Sequence, residues 1–162
     1  MILGILSDTH DQRERTRRAV QLLVDAGAEA FVHCGDFTGP EMLELCALRP
    51  CWFVFGNNDD FSIPDLKRVA AETGAVCLEW GGEVTFGGKR IGVTHGHTHI
   101  DVRRLLAAHP DYLLSGHSHI AGESQVGPTR RINPGALHRA RQYSVAVLDV
   151  ETDELRFFDV PR

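Results

Sequence analysis

MILGILSDTHDQRERTRRAVQLLVDAG, residues Met1–Gly27, joins an apolar run to an amphipathic one through Asp8-Thr9-His10. The apolar run reads as a buried strand. In the amphipathic run Thr16, Ala19, Val20, Leu23 and Ala26 share one helical face, Asp11 is placed to cap its start, and Gly27 suits its stop. A buried strand leading into a helix is the unit of an α/β sheet. This strand also ends on an aspartate and a histidine, side chains that a core excludes.

Downstream the alternation recurs. EAFVH (29–33) is a strand, Pro40 opens a short helix through EMLELCAL, CWFVF (51–55) is a strand, and Pro64 begins a helical stretch that closes at Gly74. From Val76 the pattern changes: EVTF, the Gly87-Gly88 turn and RIGVT read as a β-hairpin, DVRRLLAAH as a short helix and DYLLS as a strand. TRRIN, YSVAVLDV and ELRFFDV finish the chain as strands, the last two joined by a turn at ETDE. With no repeat, linker or low-complexity segment, residues 1–162 are expected to form one α/β domain. It should carry a mixed sheet or two packed sheets, with helices on the outer faces.

A chain of 162 residues buries roughly 70% of its unfolded surface, so it needs neither disulfide nor structural zinc. Cys34, Cys46, Cys51 and Cys77 form no CxxC pair and sit in mostly apolar surroundings, as reduced core thiols do. No apolar run approaches the ~20 residues of a membrane helix, and no secretory leader is visible; the cytoplasm is the expected compartment. The net charge of -5 argues against indiscriminate nucleic-acid binding, which requires many neutralised phosphates. It leaves room for a small phosphorylated substrate. Nothing fixes an oligomeric state, and a homodimer is compatible with the sequence.

The polar groups carry the functional signal. Asp8 and His10 follow ILGILS, and Gly35 and Asp36 follow AFVHC. Gly56, Asn57, Asn58 and Asp59 follow CWFVF, His95 and His97 follow IGV, and His117 and His119 follow YLLS. Ligands of open α/β sheets bind beyond the carboxyl ends of the strands, so groups far apart in sequence can converge there. Carboxylate, amide oxygen and imidazole together suit a borderline divalent ion such as Mn, Fe, Zn or Co. Seven such ligands are too many for one catalytic ion. They suit two ions about 3.5–4 Å apart that share one carboxylate, a pair able to activate water and clamp an in-line displacement.

DTH, GD, GNND, THGH and GHSH, in this order and each after a strand, resemble the motifs of the calcineurin-like metallophosphoesterases. The short chain is similar to their small bacterial and archaeal phosphodiesterase branch, and the resemblance runs from Asp8 to NPGALHRAR. It implies a four-layer α/β/β/α fold, a two-sheet sandwich flanked by helices. It implies one metal on Asp8, His10, Asp36 and His119, and a second on the shared Asp36 with Asn57, His95 and His117. It also implies two divalent ions, manganese first, with Fe, Zn, Ni or Co as alternatives, and a metal-bridging hydroxide that attacks phosphorus in line. Many relatives carry a histidine after Gly-Asn, where this chain has Asn58, an amide that cannot serve as a proton donor near neutral pH. Asn58 and His97 are therefore the catalytic candidates beside the leaving group, with His97 able to stand in for the missing acid. Arg139, in the loop that resembles the family's NPGS, is expected to grip the substrate, Arg141 being the alternative. Ala136 replaces the usual serine.

Three other readings stand beside the phosphodiesterase: a phosphomonoesterase, a non-catalytic interaction module on the same scaffold, and a zinc hydrolase of the metallo-β-lactamase type. The module would degrade the ligand positions, and all seven are competent here. The zinc hydrolase fails in register, since THGHTHID has Ile100 between His99 and Asp101. Of the remaining histidines, His33 is expected behind the ligands, His99 near substrate and His109 at a helix end. The arginines of RERTRRAV are expected on a solvated helix face.

Overall fold

In the computed structural model, which describes residues 1–162, strand β1 (Ile2–Leu6) lies near the middle of a six-stranded sheet. The chain leaves it through helix α1 (Arg13–Asp25) and returns as β2 (Ala30–His33). It then passes through α2 (Pro40–Cys46) to β3 (Cys51–Phe53) and through α3 (Ile63–Thr73) to the two-residue β4 (Val76–Cys77). Each of these strands pairs in parallel with the one before it. Right-handed crossovers that always step the same way along a sheet put every connecting helix on one face. That face buries Val20 and Leu23 of α1, Met42 and Leu43 of α2, and Leu66 and Val69 of α3 against Phe31, Phe53, Val145 and Val147.

The opposite face then needs another cover, and a second sheet supplies it. It is built from β5 (Gly81–Phe86), β6 (Lys89–Thr94), β7 (Tyr112–Leu114), β8 (Gly122–Val126) and β9 (Thr129–Asn133), in the order β5-β6-β7-β9-β8. Leu3, Ile5, Val32, Ala146 and Leu148 of the first sheet meet Ile91, Val93, Leu114 and Ile132 of the second. The alternation within a strand follows from the pleat: in β10 (Ser144–Asp149), Val145 and Val147 face the helices while Ala146 and Leu148 face the second sheet. Strand β10 extends the first sheet antiparallel to β1, and β11 (Glu154–Asp159) adds to its edge antiparallel to β10. Helix α4 (His99–Ala107) packs on β5 and β6 and makes the fourth layer. No helix is long and apolar enough to cross a membrane.

Several local expectations shift. Asp11 does not cap α1: Gln12 holds the cap position without a side-chain bond, and Asp11 takes a left-handed φ of 57°. Helix α4 begins at His99 rather than Asp101, because Thr98 and Asp101 join across its first turn (Oγ1 to Oδ2, 2.5 Å). Strand β8 was not expected, since GESQV is a largely exposed edge without hydrophobic alternation. Arg15 is not solvated: its Nη1 donates to the Leu137 carbonyl (2.6 Å) and its guanidinium lies over the Tyr143 ring. The four cysteines are free thiols, three of them buried.

Candidate metal centre

The parallel pairs β1/β2/β3 and β6/β7/β9 send their carboxyl ends to the same edge of the sandwich. The loops after them are stitched together by backbone bonds, Asp8 N–H to Gly35 O and Gly116 N–H to His95 O, both 3.0 Å. Asp8, Asp36 and His95 are fully or almost fully buried at this edge, with His10 and His119 partly exposed beside them. Asp8, His10, Asp36, His117 and His119 all adopt left-handed φ between 41° and 68°. That conformation costs a non-glycine residue about 1–3 kcal/mol and gathers at functional sites.

Donor atoms of Asp8, His10 and His119 lie within 4.8 Å of one another, as do those of Asp8, Asp36 and His95. His10 Nε2 is 3.2 Å from Asp36 Oδ2 and 3.9 Å from Asp8 Oδ1; His95 Nε2 is 3.4 Å and 3.9 Å from the same two atoms. Neither nitrogen makes a hydrogen bond, although both are buried. The tautomer of His95 follows from its other nitrogen. Nδ1 is 2.8 Å from the Cys34 carbonyl, which only accepts, so Nδ1 carries the proton and Nε2 turns a lone pair toward two carboxylates. The same holds at His119, whose Nδ1 faces the Arg139 carbonyl (3.4 Å) and whose Nε2 is 3.0 Å from Asp8 Oδ1. Lone pairs aimed at carboxylate oxygens call for a cation between them, or for protons in its place. The donor set therefore fits divalent metal.

The electrostatics agree. Burial opposes ionisation of Asp8 and Asp36, but the adjacent imidazoles, His10 foremost, outweigh it and hold both well below the ordinary carboxylate range. Burial likewise disfavours a charged His10, yet Asp36 and Asp8 push its pKa up to about 9. His95 is raised despite burial by the same pair, and His119 chiefly by Asp8. Two buried anions thus attract positive charge from every side.

The other expected residues take distinct places. Asn57 is exposed within the loop that follows β3. Asn58 is committed to Asp36: its Nδ2 donates to Oδ2 (2.7 Å) and its N–H to Oδ1 (2.9 Å). Gly56 is required where it stands, because a Cβ there would come 2.1 Å from Asp36 Oδ1. His117 donates its backbone N–H to Asp8 Oδ2 (3.1 Å) while its ring stands exposed, 5.1 Å from the His95 ring. His97 lies 5.4 Å from His95 ring to ring, with Nδ1 buried and unbonded. Burial, then His95 and His117, lower its pKa, so it is a neutral imidazole at pH 7. Arg139 is exposed next to His119, and its guanidinium makes no ion pair.

Three residues contribute more than sequence reasoning assigned them. The buried Asp59 accepts the N–H groups of Asp36 (2.9 Å), Thr38 (2.9 Å) and Gly56 (2.8 Å), so it clamps the second and third loops rather than facing the cluster. His33 receives the Gly35 N–H on Nδ1 (3.1 Å), which forces the proton onto Nε2 and toward Thr9 Oγ1 (3.2 Å). It ties the first loop to the second. His138 stacks on His10 with ring centroids 4.5 Å apart. Its loop is fixed by Leu137 N–H to Asp8 O (3.2 Å) and by Arg15. No sequence pattern separates these three from bystanders, although a polar residue beside a ligand loop was a warning in each case.

Residues 1–153 match the family model of the calcineurin-like phosphoesterase superfamily domain. The chain is 30% identical to the probable metallophosphoesterase YsnB of Bacillus subtilis, over 96% of this chain and 89% of that protein. It is 27% identical to phosphodiesterase MJ0936 of Methanocaldococcus jannaschii, over 96% and 97% of the respective lengths. Among solved structures, a novel archaeal phosphodiesterase superposes with a TM-score of 0.89 at 25% identity, covering 99% of this chain and 100% of that one. Vps29 of Entamoeba histolytica shares the fold at a TM-score of 0.64 and 17% identity, over 99% and 100%.

Proposed function

The chain belongs to the calcineurin-like phosphoesterase superfamily, and on that premise we propose that it is a phosphodiesterase holding two divalent ions, manganese first among them. The observation that carries this reading is the pair of buried, unbonded Nε2 atoms of His10 and His95 turned toward Asp8 and Asp36. Asp8, His10, Asp36 and His119 would hold one ion, and Asp36 with Asn57, His95 and His117 the other. When bound, such ions supply Lewis acidity toward phosphoryl oxygens and toward the attacking water. The residues of the chain do the rest. Asn58 fixes the rotamer of Asp36 through its two hydrogen bonds, and Cys34 and Arg139 fix the tautomers of His95 and His119 through their carbonyls. His97 presents a neutral imidazole that hydrogen-bonds the leaving oxygen, and Arg139 offers its guanidinium to the phosphate. The edge carries no covering domain, so substituents on either side of phosphorus can be admitted. The resemblance to phosphodiesterase MJ0936 supports diesters over monoesters.

The test is reconstitution of the metal-free chain with single metals, followed by kcat/KM for matched aryl phosphodiesters and monoesters. Diesters should be favoured; a tenfold preference for monoesters overturns the substrate assignment. Asp36→Asn should lose both ions by elemental analysis and lower kcat by 10²-fold or more, because the shared carboxylate loses its charge. Full activity together with only trace metal would remove the metal reading altogether.

A further inference from the structure

Beside His119 the sandwich edge opens into a cleft of about 570 Å³, bounded by the Ser118–Ala121 turn, the Arg139–Gln142 segment and the end of β11. Three of its properties bear on what enters it. It adjoins the candidate centre, because His119 both lines the cleft and belongs to the donor cluster. Its walls include two exposed apolar side chains, Ile120 at 71% and Phe157 at 39% exposure, where exposed edges normally carry polar groups. Arg139 and Arg141 also line it, and neither guanidinium forms an ion pair. Asp159 is the single carboxylate in the lining, so the two cations outnumber it.

We propose that this cleft is the subsite for the retained substituent of the diester, and that it takes a planar apolar group bearing an anion of its own. The proposal rests on the phosphoesterase reading, since it places phosphorus at the inner end, next to His119. The cleft volume lies in the ~300–1,000 Å³ range of small-molecule sites, large enough for a ring system and far larger than a methyl group needs. Phe157 and Ile120 supply apolar surface for such a ring. Arg139, next to His119, meets the reacting phosphate, and Arg141, farther along the chain, is left for a second anion, which a guanidinium binds in bidentate fashion. An aryl phosphate and a nucleotide share this chemistry, and the retained group distinguishes them.

The experiment uses the metal-loaded full chain and p-nitrophenyl diesters that differ only in the retained group: methyl, phenyl, nucleoside 5′, and nucleoside 5′ with a 3′-phosphate. The leaving group is constant, and the Phe157→Ala comparison separates the subsite from the electronic effect of the retained group. We expect kcat/KM to rise at least tenfold from methyl to phenyl or nucleoside, and again on adding the second phosphate. The larger of the phenyl and nucleoside values identifies the ring. Phe157→Ala should shrink the ratio of ring-bearing to methyl diester to threefold or less, and Arg141→Gln should cancel the gain from the second phosphate. A flat series in the wild type, or variants that lower every member in proportion, overturns the proposal. If no diester is cleaved, the phosphodiesterase reading fails, and binding of phenyl phosphate against methyl phosphate then decides the subsite by itself. Affinity at least fivefold higher for phenyl phosphate, lost in Phe157→Ala, sustains the subsite; equal affinities reject it.

Discussion

At the scale of single residues, His33 shows how a neutral side chain can serve a charged site. Burial pushes its pKa down to about 3, against an ordinary value of about 6.5. An unfolded chain therefore takes up a proton below about pH 6.5 that the folded chain refuses, and stability falls as pH drops through that window, by up to about 1.4 kcal/mol per pH unit. His10 works in the opposite sense. Its pKa of about 9 means that its contribution is fully present below about pH 6.5 and is lost as pH rises through 9. The metal-free chain should thus be most stable near pH 6–7, with both limbs visible in urea unfolding measured from pH 4 to 9.5. His33→Gln should flatten the acid limb; an acid limb identical in the variant would mean that other groups carry it.

At the scale of elements, the seam of β1 with β2 and α1 leaves no room for a side chain at Gly4. Gly4 faces the helix layer, and a Cβ there would lie 2.7 Å from Phe31 Cδ1 and 3.1 Å from Leu23 Cδ1. Both neighbours are fully buried, so neither can swing into solvent. Overpacking of this kind costs typically 1–3 kcal/mol, and Gly4→Ala should lower Tm by roughly 2–4 °C per kcal/mol for a chain of this size. Calorimetry checks it, and a Tm unchanged within 1 °C would show that the layers can separate at little cost. The same contact aims the Asp8–His10 loop, because β1 delivers it directly, so the variant should also weaken metal binding. Strand β8 illustrates a different point: its polar, exposed residues are held by the ladder to β9 and not by burial, which is why no periodicity announced it.

For the whole molecule, the candidate centre is a joint between two sheets. Asp8 and Asp36 come from the first sheet, His95, His117 and His119 from the second, and the bonds of His95 to Cys34 and of His117 and His119 to Asp8 cross between them. Ions held there would cross-link the layers, and a ligand bound only by the folded chain stabilises it by about 2.7 kcal/mol at a hundredfold excess over Kd. Tm should therefore rise by roughly 5–11 °C on adding saturating manganese or zinc to chelator-treated protein. Asp36→Asn should abolish most of that rise. A wild-type Tm indifferent to metal would place the ions, if bound, outside the joint.

The sequence alone determined the order of the helices and of the apolar strands, though not the polar edge strand β8 or the two-residue β4, and the coincidence of metal-type side chains with strand ends. Both are local properties: apolar periodicity fixes an element, and a polar residue at its end is visible in the same few letters. From Asp8, His10, Asp36, His95 and His119 the donor chemistry was legible without coordinates. The tertiary structure decided everything that depends on distance across the chain. It showed that three same-direction crossovers leave one sheet face bare for a second sheet to cover. It also gave Asp59 to backbone clamping, Asn58 to Asp36 and His138 to the face of His10. Those assignments could not be read from spacing, because a carboxylate, an amide or an imidazole has the same letters whether it turns toward an ion, a backbone N–H or another ring. Only the packing of the two sheets selects among them.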